Sequence, residues 1–557
     1  MYLRRISRTN KDGSITAYLQ LAHNVWDAKS NCAKAKVIHS FGREDEIDRV
    51  ALKRLVASIS RVLSPEDAAQ IQVQAEKGQG VELEGSRSYG GVWLLDQIWE
   101  QLNMPKTIAG LYKTEGHERM SKQERCIFAM VANRALSPTS KLSMEEWVGG
   151  DVEIPGLQEV GSHQLYRAMD TLLDKREELE RQVYGQVSDL MNLQVDLLYF
   201  DTTSSYFEVE PAESEDRFRK LGYSKDKRPD LLQVVIGLAV TKEGIPIRCW
   251  VWPGNTADMS VVKEVKRDLI GWKLGRVIHV LDRGFVSEQN LKTLTEAGGQ
   301  YIIGEKLRGG KAGAEEALSR PGRYHDVKEN LRVKEIIVGD GERRERYIVC
   351  FNPKEAEKQK HERARILKEL ESKLAALRQE PKEAHTKAMC ALRSHGLYGK
   401  YLKQNNDGTL KIDRQKAKEE ERCDGKYLLR TSDDTLTCED VALGYKQLYD
   451  VEDAFRTLKT HLDLRPMYHR LEERIRSHIL LCWLALLLVR IIEVRTGERW
   501  QAIRSEMSRM HVVDYRTPDG FFRQTTLPTA KQKQLFCALS INTPPKLINA
   551  GLLPSLS

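Results

Sequence analysis

The sequence lacks the marks of several large protein classes. Its nine cysteines are scattered, with no Cys-x-x-Cys pair and no clustered His/Cys set, so zinc-finger and dithiol redox readings have no support. An odd number over so long a chain reads as reduced thiols in a cytosolic protein. There is no internal repeat and no low-complexity tract, which excludes repeat arrays and compositionally biased segments. The longest apolar run, Ile479 to Val489, is far shorter than the ~20 residues of a membrane span. Arginines flank it, so it reads as a buried core helix and no membrane partner is expected. Met1 to Ser7 contain no apolar stretch of the kind found in signal peptides, so no secretory leader is expected.

What is present suits a soluble globular protein. The 557 residues are 41% hydrophobic and 30% charged, with a net charge of +8. That length allows roughly three or four domains. The mild basic excess permits a polyanionic partner without requiring one.

The first residues alternate like short strands. Tyr2-Leu3-Arg4-Arg5 and Ala17 to Leu21 flank an Asn10-Lys11-Asp12-Gly13 turn, and Val37-Ile38 with Phe41-Gly42 suggest a third strand. Helical periodicity runs from Glu46 to Leu63. Gly80 and Gly85 mark a linker. Residues 90 to 195 read as helical, with Ser137-Pro138-Thr139-Ser140 as a break.

From Val195 the pattern changes. A strand-like run, Val195 to Phe200, ends in Asp201-Thr202-Thr203-Ser204. Leu232 to Val240 and Ile245 to Trp252 are two more strands, joined by a Lys242-Glu243-Gly244 turn. A helix follows over Asp258 to Leu269. Arg276 to Leu281 is a fourth strand, ending in Asp282-Arg283-Gly284. After a helix over Gln289 to Ala297 comes a fifth, Tyr301 to Gly304. This is the order of a ribonuclease H-like α/β core. Residues 322 to 351 hold further β-like segments, and 354 to 421 are dense in Lys, Arg and Glu, as on solvated helices. A strand over Lys426 to Arg430 precedes one helix from about Cys438 to His461.

Two aspartates therefore stand directly after apolar strands, where ligands gather in open α/β sheets. If the first and fourth strands are neighbours, Asp201 and Asp282 share a crevice, and their oxygens suit hard Mg²⁺ or Mn²⁺. In the last helix Leu448, Val451, Phe455, Leu458 and Leu462 form an apolar stripe. Tyr445, Tyr449, Glu452, Arg456 and Lys459 form a polar stripe beside it. Its bland alternative is a surface Glu452–Arg456 pair. His279 lies in the fourth strand and reads as packed. Asp226, Asp258 and Arg283 read as structural groups or substrate contacts.

Tyr-Phe-Asp201-Thr-Thr-Ser, Val-Leu-Asp282-Arg-Gly-Phe and Tyr445-x₂-Leu448-x₃-Glu452-x₆-Lys459 together resemble the DDE transposases of bacterial insertion sequences. The likeness is to the branch with a tyrosine–arginine–glutamate–lysine signature. Pro253 to Asp258 resembles the segment this branch carries between its two aspartates. The signature arginine is replaced by Leu448, leaving Arg456 or Lys446 as nearby cations for its contact.

The resemblance implies a catalytic and metal-holding triad of Asp201, Asp282 and Glu452 with two Mg²⁺ ions, for which Mn²⁺ can substitute. It implies Tyr445 and Lys459 as contacts to DNA ends, with Arg456 beside them. The implied activity is DNA cleavage followed by strand transfer, on terminal inverted repeats and target DNA. A homodimer is expected in the synaptic complex, located in the cytoplasm at the bacterial nucleoid. The expected fold is α/β, with residues 195–305 and 426–500 as the ribonuclease H-like core and 306–425 as an insertion domain. Residues 1–85 form a small β/helix unit and 86–194 a helical region, both candidates for DNA binding, and 501–557 form a tail. Two other readings share the metal site or the scaffold: a nuclease or resolvase without strand transfer, and an inactive DNA-binding regulator.

Overall fold

The computed structural model describes residues 1–11, 14–27, 32–60, 62, 81–111, 117–191, 197–208, 218–270, 272, 277–308, 312–341, 344–377, 382–406, 408–465, 467–517 and 520–552. The chain divides into two compact units. One comprises Met1–Gly85, Asp514–Gln524 and Asn549–Ser557, and the other Ser86–Val513 and Thr525–Ile548.

In the first unit Tyr2–Thr9, Ile15–Asp27 and Cys32–Arg43 form an antiparallel sheet in chain order. Tyr2 pairs with Ala22 and Thr9 with Ile15, as the alternation predicts. Asp12 and Gly13 of the expected turn lie outside the described residues. The helical periodicity gives Arg49–Ser60. Gly80 also lies outside the described residues. Gly85 lies within the strand Glu82–Ser88 rather than in a loop, and the last part of the chain contains the strands His511–Thr517, Gly520–Thr525 and Leu547–Leu552. The stretch read as a tail therefore carries regular structure.

The second unit begins with the helices Gly90–Gln101, Met104–Leu111, His117–Leu136, Ser162–Asp174 and Arg176–Met191. The expected break falls after Leu136, where the Asn133 amide donates to the Ser137 carbonyl at 2.8 Å. A nine-stranded mixed sheet follows. Its strands, in chain order, are β1 (Leu197–Tyr206), β2 (Gln233–Val240), β3 (Pro246–Pro253), β4 (Ile278–Leu281), β5 (Gln300–Glu305), β6 (His325–Lys328), β7 (Leu331–Val338), β8 (Glu345–Phe351) and β9 (Lys426–Thr431). Their order across the sheet is β6-β7-β8-β9-β5-β4-β1-β2-β3. β1 runs parallel to β4, and β4 to β5; the other neighbours are antiparallel. The stretch expected as an insertion thus contributes β6, β7 and β8 to the central sheet before the long helix Pro353–Leu377.

Every residue of β2 is buried, and from Val234 onward the strand is continuously apolar rather than alternating. One sheet face packs on α1 (Asp258–Ile270) and α2 (Glu288–Thr295), through Leu198, Phe200 and Leu281 against Val261, Val265 and Leu291. Tyr199, Ile278 and Val280 belong to the opposite face. That face carries α3 (Cys438–Lys446), α4 (Tyr449–Thr460) and α5 (Glu472–Thr496). α5 contains the longest apolar run. It is long and apolar enough to cross a membrane, yet most of that apolar stretch is buried inside the protein. A helix apolar on all sides is one enclosed by its neighbours.

Two expectations need correction. The first strand does not end at Asp201: β1 continues to Tyr206, because β2 still pairs with it from Leu238 to Gln233. Only the parallel partner β4 stops there. The single helix expected over Cys438 to His461 is two, α3 and α4. Between them the backbone makes short-range bonds, Gln447 N to Gly444 O at 3.1 Å and Leu448 N to Tyr445 O at 3.0 Å. The Gln447 side chain accepts from the Tyr199 hydroxyl at 2.7 Å, fixing the joint to the sheet.

Candidate active site

β1 and β4 are neighbours, and their parallel ladder ends at the pair Phe200–Leu281. The next residue on each strand is an aspartate. Side chains alternate along a strand, so Asp201 shares the face of Tyr199, and Asp282 that of Val280. Both carboxylates therefore turn toward α3 and α4. The same alternation sends His279 to the opposite face. There it is buried and the pKa of its imidazole is pushed down to about 4, so it stays neutral.

Asp201, Asp282 and Glu452 line one cavity of about 340 Å³, together with Tyr445, Tyr427 and Lys446. Asp201 Oδ1 accepts from the Thr202 amide at 2.7 Å and lies 3.5 Å from the Lys225 ammonium. Burial lifts its pKa to about 6, countered by Lys225 and the Thr202 amide and reinforced by Asp282 and Asp258. Asp282 starts a short turn, Arg283–Phe285, and its Oδ1 accepts from the Tyr445 hydroxyl at 3.1 Å. Burial and then Asp282 push the Tyr445 phenol further up, so it remains a donor. Tyr427 stacks on Tyr445 with ring centroids 6.2 Å apart. Glu452 is exposed in the first turn of α4, where the helix dipole favours a carboxylate.

The apolar stripe is buried as its spacing predicts, from Leu448 through Leu462. The polar stripe divides. Tyr445 and Glu452 reach the cavity, whereas Arg456 and Lys459 do not line it. Arg456 pairs with Asp453 and faces the Tyr449 hydroxyl at 3.4 Å. Lys459 binds Asp226 at 2.8 and 3.0 Å, and Arg465 joins that carboxylate at 2.8 Å. Among the described residues no three His, Cys, Asp or Glu side chains stand close enough together to hold one ion. The triad surrounds a shared space rather than forming a closed cage. Among the described residues no two cysteines form a disulfide.

Reading the sequence missed Lys225, Thr202 and Tyr427. Lys225 comes from the Ser-Lys-Asp-Lys-Arg loop before β2, whose only signal was its charge. Asp258, seen in the Pro253–Asp258 segment, accepts from the Thr202 hydroxyl and lies 3.4 Å from Lys225. Gly254 in that segment has a steric reason. A Cβ there would overlap the carbonyls of Gln233 and Lys220, and the Gln233 amide donates to the Gly254 carbonyl at 3.0 Å. A second cavity of about 510 Å³, at Arg248, Trp250 and Asp268, shares no lining residue with the first. Its Arg248 is spent on Asp268 at 3.1 Å.

The Transposase DDE domain family matches residues 201–488, over half of the chain. The chain belongs to the DDE transposases. Residues 3–70 of the transposase match the N-terminal domain of the IS1634 family of transposases, which places it among insertion-sequence enzymes acting on DNA. Among solved structures, a cryo-EM piggyBac transposase synaptic complex with hairpin DNA is similar at 12% identity and a TM-score of 0.34. The match covers 75% of this transposase and 77% of that chain. No curated protein matches the transposase. Enzymes of this family use divalent metal ions.

Proposed function

We propose that Asp201, Asp282 and Glu452 are the catalytic carboxylates of this transposase and that they hold two Mg²⁺ ions, with Mn²⁺ as a substitute. The observation that carries this is the register: two aspartates follow the last pair of a parallel ladder, on one face, with Glu452 on the wall of the same cavity. The donor set fits, since carboxylate oxygens are the ligands hard divalent cations take. Asp201 gives a second reason. Burial near Asp282 and Asp258 makes its ionised form costly, and a cation in the cavity would relieve that cost. The order β3-β2-β1-β4-β5 supports a ribonuclease H-like core.

When bound, the ions would supply Lewis-acid activation of the attacking hydroxyl and charge relief at the leaving oxygen. The chain's own groups do the rest. Tyr445 holds Asp282 in place through its hydroxyl and stacks on Tyr427, so its ring is fixed. Lys459 supplies a point charge for phosphates of the DNA ends. Water first frees a 3′-hydroxyl at the element's end, and that hydroxyl then attacks target DNA at the same carboxylates. We assign the chain to the branch with the tyrosine–arginine–glutamate–lysine signature. The terminal inverted repeats are read by the N-terminal basic unit, and two copies join the ends in a cytoplasmic complex at the nucleoid.

The deciding experiment is cleavage of a labelled duplex carrying the element's end, with Mg²⁺ and then with EDTA, using wild type beside Glu452→Gln. Metal-dependent nicking at the repeat boundary that disappears in the variant establishes the triad. Undiminished nicking by Glu452→Gln, or by Asp201→Asn or Asp282→Asn, removes that residue from it.

A further inference from the structure

Lys225 and Asp226 are adjacent, opposite in charge, and each engages groups of the other sign at the site. The Lys225 ammonium donates to the Thr202 carbonyl at 2.6 Å and to its hydroxyl at 2.9 Å, beside Asp201 and Asp258. The Asp226 carboxylate takes both Lys459 and Arg465. Those side chains are only 12% and 23% exposed, so their charges converge on one small anion in a partly desolvated place. Two cations on two oxygens are also what a phosphodiester receives from a protein. Arg465 lies over the Tyr206 ring, 4.7 Å from its centroid, so its direction is not set by Asp226 alone.

The loop that presents these two residues is held by polar contacts. The Lys225 amide donates to Ser204 Oγ at 2.9 Å, the Lys227 amide to the Ser224 carbonyl at 3.2 Å, and the Arg228 amide to Ser224 Oγ at 3.1 Å. Lys227 itself is in the left-handed region, φ 59°, which an L side chain adopts only against its own preference. External contacts, the ion pairs among them, keep the loop where it is. Groups that can be exchanged for better partners can also let it go.

We propose that the Ser224–Arg228 loop is a built-in stand-in for substrate, with Asp226 occupying the place of a DNA phosphate on Lys459 and Arg465 until DNA displaces it. The inference rests on the reading of Lys459 as a DNA contact and adds Arg465 to it. Because Lys225 is on the same loop, the exchange also withdraws its ammonium from Asp201. The carboxylate then becomes free for a cation when DNA is present. Before that, the phosphate site is internally neutralised, which holds down adventitious binding to other DNA.

The test is the affinity of the full-length protein for a fluorescein-labelled mixed-sequence duplex, without divalent ions. Asp226→Asn should bind about tenfold tighter than wild type, since two cations lose their internal competitor. Asp226→Glu should match wild type, and Lys459→Ala and Arg465→Gln should both bind more weakly. If Lys459→Ala binds as wild type does, the DNA-contact reading of Lys459 falls, and this inference with it. If Lys459→Ala is weaker but Asp226→Asn is no tighter, only the stand-in is overturned, and Asp226 is a structural clamp. Hydrogen exchange on the wild type is independent of whether any variant folds. The amides of Lys225, Lys227 and Arg228 should exchange faster once DNA is added, and unchanged or slower exchange overturns the proposal.

Discussion

The hydroxyl of Tyr445 lies over the bare Cα of Gly304, so close that a Cβ there would overlap it. Gly304 is on β5, on the face that carries α3, and its missing side chain is what lets the phenol reach Asp282. Gly304→Ala should push Tyr445 off that aspartate while leaving the sheet intact. A displacement of about 1 Å near reacting groups costs roughly 100-fold in rate. Tyr445→Phe keeps the packing and loses only the hydrogen bond, so its cleavage should fall by about tenfold. Rates of nicking for the two variants, with circular dichroism to verify folding, check the order. A Gly304→Ala enzyme faster than Tyr445→Phe would show that the hydroxyl position is not set here.

Leu448 stands where the signature has an arginine, and it is buried with Val451 and Phe455 in the main core. A guanidinium has no place in that packing. Of the two nearby cations, Lys446 lines the cavity, whereas Arg456 is tied to Asp453 and Tyr449. Lys446→Ala should therefore weaken DNA binding by about tenfold, the effect of a lost phosphate contact. Arg456→Ala should change binding by less than about threefold at the same salt. Binding curves at two salt concentrations decide it, and the reverse ranking would return the contact to Arg456.

Much of this arrangement was legible in the sequence because it is local. Apolar runs place β1, β2 and β4, and the stripe from Leu448 to Leu462 faces the core as its spacing requires. What stayed hidden depends on partners distant in the chain. Whether β1 stops at Asp201 is decided by β2, which pairs with it to Tyr206. At the break between α3 and α4 the Gln447 side chain accepts from Tyr199, a partner distant in the chain. Helical periodicity runs through that joint undisturbed. Lys225 was invisible as a site residue, and Asp226 was legible only as a structural group or substrate contact, since their partners, Asp201 and Lys459, are brought to them only by the fold. The segment 322–351 looked like part of an insertion because it follows the expected core in the chain. Yet β8 hydrogen-bonds to β9 and so extends the same sheet.

Arg125 holds together the helical region before the sheet. Its guanidinium meets Asp96 at 2.7 Å and Glu124 at 2.7 Å, and Glu124 also accepts from the Trp99 indole at 2.7 Å. All are buried, and burial pushes the Asp96 carboxyl above its ordinary pKa. Removing the cation leaves two buried carboxylates without a counter-charge, Glu124 keeping only the Trp99 indole as a donor. Arg125→Met should destabilise the protein by about 3 kcal/mol, the range for breaking a buried pair from one side. The combined Arg125→Met, Asp96→Leu and Glu124→Gln variant should recover part of that loss. Thermal melts of the single and triple variants provide the comparison, and an unchanged melting temperature for Arg125→Met would mean that the cluster contributes no net stability.

Asp201 should make the metal-free protein less stable as pH rises. Its folded-state pKa, about 6, is above the unfolded value near 4, because burial disfavours the charged form. The native state therefore holds the proton more tightly than the unfolded chain does. The resulting stabilisation is complete below about pH 4 and is lost as pH rises through about 6. The gap between the two values corresponds to roughly 3 kcal/mol at most, and the partly exposed side chain makes about 2 kcal/mol the better expectation. Asp201→Asn cannot ionise, so in EDTA at about pH 8 it should melt higher than wild type, and at about pH 4 the two should coincide. Adding Mg²⁺ at the higher pH should raise wild type alone, since binding to the native state adds stability only where the carboxylate is present. A variant that melts lower than wild type at both pH values would mean that Asp201 is stabilising as a charged group, with Lys225 sufficient to offset its burial.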